Sequence, residues 1–118
     1  MDDRERERWR QSEEQHGYVR ARLRVVATKD GGRHSPVLPG YRASWGFAEG
    51  VSFFLHDAPL TIEDGESIEP GAEGVVRLHP NLPEQWPNVA SGMELEMFEG
   101  SRQYGIAVVL EVVPPDLG

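Results

Sequence analysis

The sequence predicts an all-β domain, a barrel or a sandwich, and three observations lead to this prediction. From Tyr18 onward, apolar and polar residues alternate with the period of two that is typical of a half-buried strand. Short runs of this kind recur along the chain, separated by Gly, Pro, Asp and Asn. Thirteen glycines and nine prolines among 118 residues also fit a closed sheet, whose corners need unusual or fixed backbone angles.

Residues 1–17 form a charged segment ahead of the predicted sheet. Met1 to His16 contains four Arg and six Asp or Glu residues, and several stand at helical spacings for ion pairs. We therefore expect a short charged helix or a disordered leader. Trp9 is interpreted as lying on the domain, and a docking peptide for a partner is the alternative. The barrel domain is expected over residues 18–115, with residues 116–118 as a C-terminal tail.

The predicted strands follow in order. The first is YVRARLRVVAT (18–28), and the others are YRASWGF (41–47), VSFFLH (51–56), APLTIE (58–63), EGVVRLH (73–79), MELEMFE (93–99) and YGIAVVLEVV (104–113). The residues predicted to form the core are Leu23, Val25, Val76, Leu78, Leu95, Val108 and Leu110, because their strands alternate or are apolar throughout.

Three arginines should form a row on the outer face of the first strand. Arg20, Arg22 and Arg24 alternate with its apolar residues. Such a row can meet RNA phosphates, but charged ladders on solvated faces also protect sheet edges from aggregation. Both interpretations stay open at this point.

Composition limits the function classes. The chain has no cysteine, so disulfides and thiolate metal sites are excluded and a cytoplasmic location is expected. A net charge of −8 argues against a DNA-binding protein or any binder with a broad cationic face. No run approaches the roughly 20 apolar residues of a membrane span, so no membrane association is expected.

Catalytic and metal-binding chemistry is not expected either. Asp30, His34 and Ser35 contain the residue types of a hydrolase triad, but neighbours in an extended chain point to opposite faces and no nucleophile elbow surrounds the serine. His56 and His79 lack a recognisable metal-ligand spacing. We therefore expect no enzyme activity, no metal and no cofactor.

One stretch, KDGGRHSPVLPGYR (29–42), is either an active-site loop or a stiff structural corner. It resembles a segment near the start of the C-terminal β-barrel domain, the third domain, of translation elongation factor Tu. In that family a first strand leads into Gly-Gly-Arg-His-Thr-Pro and then Gly-Tyr-Arg. Ser35 replaces the threonine, and the matching residues are Gly31, Gly32, Arg33, His34, Pro36, Gly40, Tyr41 and Arg42.

Weaker similarities continue in the family's order up to Val113. IEPGAEGVVRLHP (68–80) resembles a Met-Pro-Gly-Asp segment and the strand after it, and residues 92–113 resemble the closing hairpin. The resemblance implies a six-stranded antiparallel Greek-key barrel in which residues 29–42 are a structural corner. Arg33 and His34 would tie that corner to neighbouring carbonyls or carboxylates. The G-x-x-x-x-G-K-[ST] loop of a GTPase is absent, so nucleotide hydrolysis is not expected.

The family barrel helps to hold the T-stem of aminoacyl-tRNA, partly through a Glu-Gly pair, and it also contacts the GTPase domain and the nucleotide-exchange partner. Glu99, Gly100 and Arg102 match this part of the closing hairpin. Ser101 replaces a glycine, and Ser44 stands where the family has a glutamine that faces RNA. The resemblance therefore implies an RNA surface that is only partly retained.

The loop over residues 81–91 is longer than the family's usual length and holds Trp86 between two prolines. Trp86 is expected either to plug the end of the barrel or to anchor a partner.

Two function classes follow. The first is a non-catalytic binding module that recognises a translation-associated protein or, less favoured because of the charge, aminoacyl-tRNA. The second is a decoy, immunity-type or regulatory protein-interaction module with no role in elongation. The sequence leaves the partner's identity and the oligomeric state open.

Overall fold

The computed structural model describes residues 1–49, 52–86 and 88–116. In this part of the chain, one helix precedes six strands, and short 3₁₀ turns lie at Thr28–Asp30 and Pro83–Gln85. The elements are α1 (Asp3–His16), β1 (Tyr18–Val25), β2 (Arg42–Glu49), β3 (Ser52–Ile62), β4 (Glu73–Leu78), β5 (Glu94–Glu99) and β6 (Arg102–Val113).

The six strands close into an antiparallel barrel in the order β1-β4-β3-β2-β5-β6. The prediction of an all-β barrel with a short N-terminal helix is therefore confirmed. Consecutive strands β2, β3 and β4 are neighbours, whereas the connection from β1 to β2, residues 26–41, is long and crosses one end of the barrel. Val37 in this connection pairs with Ile68, and the two exchange backbone hydrogen bonds of 2.9 Å.

One strand boundary differs from the sequence prediction. The runs predicted as two strands, 51–56 and 58–63, form the single strand β3, although Val51 lies outside the described residues. Pro59 does not break the strand, because Leu60 donates to the Tyr41 carbonyl and the Pro59 carbonyl accepts a bond from His79. The strand changes its partner here, pairing with β2 up to Pro59 and with β4 from Leu60.

The core prediction is confirmed in part. Leu23, Val25, Val76, Leu78 and Leu95 are buried. Val108 and Leu110, however, are 39 % and 37 % exposed, so their assignment to the core was wrong.

The error in β6 has a simple cause. Residues 106–110 of this strand are all apolar, so the sequence there contains no alternation that would identify the inner face. The register decides instead: Ala107 pairs with Leu23 and Val109 with Ala21. Because residues that pair directly share a face, Ala107 and Val109 point inward and their neighbours point outward.

Helix α1 is defined by its caps. The Asp2 side chain accepts a 2.8 Å hydrogen bond from the Glu5 amide, and Gly17, with φ of 73°, ends the helix by donating to the Glu13 carbonyl. Position 17 requires glycine for two reasons. Its φ is positive, and a Cβ there would lie 2.3 Å from the Val113 carbonyl oxygen.

Candidate protein-binding surfaces

The loop that carries the long motif is held as a corner by its three glycines. Gly31 has a φ of 92°, and Gly32 lies so close to the end of β1 that a Cβ there would stand 2.1 Å from the Val26 carbonyl oxygen. The Gly32 amide donates to Ala27 at 3.0 Å, which closes the turn. Gly40 has a φ of 89° and donates to the Leu60 carbonyl at 2.7 Å.

Arg33 ties this corner to the β5–β6 hairpin at the same end of the barrel. Its Nη1 donates to Glu99 Oε2 at 2.9 Å, its other nitrogens reach the Ser35 carbonyl and hydroxyl at 3.2 Å, and its guanidinium lies 4.4 Å from the centre of the Tyr41 ring. Burial raises the pKa of Tyr41 to about 12, and the neighbouring Glu99 adds to the shift. Arg33 thus ties the loop as expected.

The remaining motif residues have less specific surroundings. His34 is exposed and makes no hydrogen bond or ion pair within the described part of the chain, so the expected tie through this side chain is absent. Pro36 is half-buried, and Arg42 is exposed at the start of β2.

The β5–β6 hairpin presents Glu99, Gly100 and Arg102 together at the same end of the barrel. Glu99 pairs with Arg102 across the hairpin, and Gly100 occupies the turn with a φ of 63°. Since Arg33 engages the Glu99 carboxylate, this side chain serves the internal structure of the corner.

The arginine row on β1 has two parts with different surroundings. Arg20 Nε lies 2.6 Å from Glu63 Oε2, and its Nη1 lies 3.9 Å from Glu111 Oε1. Arg22 and Arg24 are exposed, and neither takes part in an ion pair among the described residues. Carboxylates therefore neutralise one end of the row only.

Trp86 is at the opposite end of the barrel and is only 6 % exposed. Its ring lies 5.5 Å from that of Phe47 and 6.4 Å from that of His56. The interpretation that Trp86 plugs the barrel end is confirmed, and the alternative of an exposed anchor was wrong because the ring is packed into the core. The structure thus separates Trp86 from the Glu99–Gly100 hairpin.

Helix α1 docks on the outer face of β3 and β4. The Trp9 ring packs against the His79 ring, with centroids 4.5 Å apart and planes tilted by 34°. Glu13 accepts hydrogen bonds of 2.9 and 3.0 Å from Arg77 Nη1. The interpretation that Trp9 lies on the domain is confirmed. His79 is 2 % exposed and bonds Thr61 through Nε2 at 2.9 Å.

His79 is held neutral in this position. Burial lowers its pKa to about 4, and the positive charge of Arg77 acts in the same direction. From the sequence, His79 was considered only as a metal ligand, and no matching spacing was found. Its contact with a helix more than sixty positions away left no signal in the local pattern.

An exposed apolar patch was missed by sequence reasoning. Phe53 and Leu55 on the outer face of β3 are 53 % and 52 % exposed, and Phe53 meets Phe98 of β5 edge-on at 6.3 Å. Gly46 makes room for this contact, because a Cβ there would lie 2.3 Å from the Phe53 ring. Leu82, 50 % exposed, borders the same surface beside Leu55. Exposed apolar clusters of this kind are typical of protein contact sites.

Within residues 1–49, 52–86 and 88–116, no group of three or more His, Asp or Glu side chains is placed to hold a metal ion. None of the helices described there combines the length and hydropathy that crossing a membrane requires. A scan of the sequence against protein-family models finds no match.

Proposed function

We propose that this chain is a non-catalytic protein-binding module, a stand-alone relative of the elongation factor Tu C-terminal barrel that binds a translation-associated protein. The strand order supports the relationship, because β1 lies beside β4 and β4-β3-β2 follow as neighbours, which is a Greek-key order. The long connection that this order requires, residues 26–41, carries the Gly-Gly-Arg-His motif.

The observation that carries the choice of protein over RNA is the position of carboxylates. Arg20 is engaged by Glu63, Glu99 is engaged by Arg33, and Ser44 donates to Asp57. Glu99 and Ser44 stand at positions where the resemblance implies RNA contacts, and Arg20 belongs to the arginine row that could meet phosphates. The carboxylates beside Arg20 and Ser44, on a chain of net charge −8, disfavour the approach of phosphates. The ion pair with Arg33 occupies the Glu99 carboxylate.

The apolar patch of Phe53, Leu55 and Leu82 supplies a surface suited to a protein. Side chains that are about half exposed bury their remaining apolar area on contact with a partner, and this burial provides binding energy that salt does not screen. The negative charge of the chain favours a partner whose apolar surface is surrounded by basic residues.

The test is affinity capture from cell extract in which bound protein and bound RNA are both identified. The variants are Phe53→Ser with Leu55→Ser, which removes the patch, and Leu38→Ser as a control, since Leu38 is 54 % exposed on the distant 26–41 connection. We expect the wild-type chain to capture a protein of the translation apparatus, and we expect this capture to survive nuclease treatment. The control variant should retain the protein and the double variant should lose it.

Each other outcome has a meaning. A protein unrelated to translation, lost from the double variant, would overturn the role in elongation and favour the decoy or regulatory alternative. Capture of RNA alone would overturn protein binding.

Aminoacyl-tRNA remains the second candidate because of one observation. Arg22 and Arg24 are exposed, adjacent on one face and not neutralised by ion pairs within the described residues. In the capture experiment, RNA that is lost on Arg22→Glu with Arg24→Glu would favour this candidate.

A further inference from the structure

Strand β6 has an apolar row on its outer face. Ile106, Val108 and Leu110 are between 37 and 39 % exposed, while Ala107 and Val109 between them are buried in the core. A strand with one solvated face normally alternates apolar and polar residues. This outer apolar row ends at Glu111, which pairs with Arg20. An apolar row on the outside of a barrel marks a contact surface.

Charged residues of opposite sign flank this row on the two neighbouring strands. Residues that pair directly across strands point to the same face, so the registers β1–β6 and β6–β5 define the pattern. Arg22, Val108 and Glu94 lie side by side on β1, β6 and β5 at one level of this face. Arg24, Ile106 and Glu96 lie side by side at the next level.

The face thus consists of three parallel stripes, which are basic, apolar and acidic. Two strand spacings, about 10 Å, separate an arginine from the glutamate at its own level. None of these four charged side chains takes part in an ion pair within the described residues. Their charges remain available to a partner.

The order of the stripes fits a second copy of the same face. In a dimer whose two-fold axis runs parallel to β6, the apolar rows meet and each basic stripe faces the acidic stripe of the other copy. Arg22 then lies opposite Glu94 of the second copy. A two-fold axis across the strands would instead set arginine against arginine.

We propose that the outer face of β1, β6 and β5 is a homodimer interface with its two-fold axis parallel to β6. Aligned packing of two sheets is a common arrangement and keeps strand directions within about 30° of each other. Helix α1 docks on β3 and β4 and leaves this face open.

The dimer should be weak. We expect the three strands of this curved surface to bury less than the roughly 1,600 Å² of a standard interface. The net charge of −8 on each copy adds repulsion between the copies. We expect a dissociation constant above about 1 μM, so that association appears only in concentrated solution.

Sedimentation velocity of the full chain, from low micromolar to millimolar concentration, is the first measurement. We expect a monomer–dimer equilibrium that Val108→Thr shifts toward monomer and that Leu38→Thr leaves unchanged. Threonine retains the shape and strand preference of valine, so folding is preserved at this exposed position. A wild-type chain that stays monomeric throughout, or a dimer indifferent to Val108→Thr, would overturn the proposal.

Charge reversal tests the direction of the axis. In a dimer of the Arg22→Glu variant, the new glutamate faces Glu94 of the other copy. In a dimer of the Glu94→Arg variant, the new arginine faces Arg22 of the other copy. Each variant alone should therefore raise its dimer dissociation constant by about tenfold or more. An equimolar mixture of the two variants should form a heterodimer of about wild-type affinity, because both contacts then join opposite charges. Failure of the mixture to associate, or tighter association of Arg22→Glu alone, would exclude the proposed axis.

Discussion

At the scale of the residue, Gly31 and Gly32 are required for different reasons. A side chain at Gly31 would be forced into the left-handed region, whereas a side chain at Gly32 would collide with the Val26 carbonyl. We expect Gly31→Val to lower the free energy of unfolding by about 1–3 kcal/mol, and Gly32→Val to lower it by at least as much.

Denaturant titration of both variants checks this prediction. The matched control is Gly65→Val, because the backbone at Gly65 is not left-handed and the nearest atom to an added Cβ lies 3.9 Å away. Unchanged stability of both variants would contradict the corner interpretation and favour a functional loop.

His79 makes stability depend on pH in a defined direction. Its pKa is about 4 in the folded chain and about 6.5 when unfolded, so the unfolded state binds a proton first as the pH falls. The stability that neutral His79 provides is complete above pH ~6.5 and is lost progressively between pH ~6.5 and ~4.

Stability measured from pH 7.5 down to about 4 tests this dependence. We expect His79→Gln to flatten the loss of stability over this interval, since glutamine can still bond Thr61 but does not titrate. The exposed His34→Gln should keep the wild-type slope. Equal slopes for wild type and His79→Gln would contradict the assignment.

At the scale of the element, helix α1 depends on the barrel for its order. A helix of 14 residues is marginal in isolation, and this one contributes no fully buried residue. Trp9→Ala removes the packing against the His79 ring, and Glu13→Ala removes the two hydrogen bonds that Arg77 Nη1 donates to the helix.

We expect either variant to lower the hydrogen-exchange protection of the α1 amides while β1 to β6 keep theirs. Gln15→Ala, at an exposed position of the same helix, serves as the control. If protection falls equally in the control, or does not fall in Trp9→Ala, the helix does not depend on these contacts.

The strands also show what the sequence can predict. In β1, arginines alternate with apolar residues, so the inner face was identified correctly from the pattern alone. In β6 both faces are apolar, and only pairing with β1 determines which side is buried. The contacts of Trp9 with His79 and of Arg33 with Glu99 join distant positions, and no local pattern specifies such pairs.

At the scale of the whole molecule, charge sets the limit on RNA binding. Twenty acidic and twelve basic side chains leave few cations for phosphates, and Arg20 is already neutralised by Glu63. We therefore expect binding of aminoacyl-tRNA at physiological salt with a dissociation constant of about 10⁻⁶ M or weaker, steeply dependent on salt.

Fluorescence titration with labelled aminoacyl-tRNA, at protein concentrations too low for self-association, measures this affinity across a salt series. Arg22→Glu with Arg24→Glu should remove the remaining phosphate contacts and flatten the salt dependence, because fewer counterions are released on binding. Arg4→Glu with Arg8→Glu on α1 changes the net charge by the same amount away from the row, so it separates a local contact from overall repulsion. Tight binding at physiological salt that is lost only in the Arg22 and Arg24 variant would reverse the preference for a protein partner. Such a result would show that two exposed arginines outweigh the acidic surface around them.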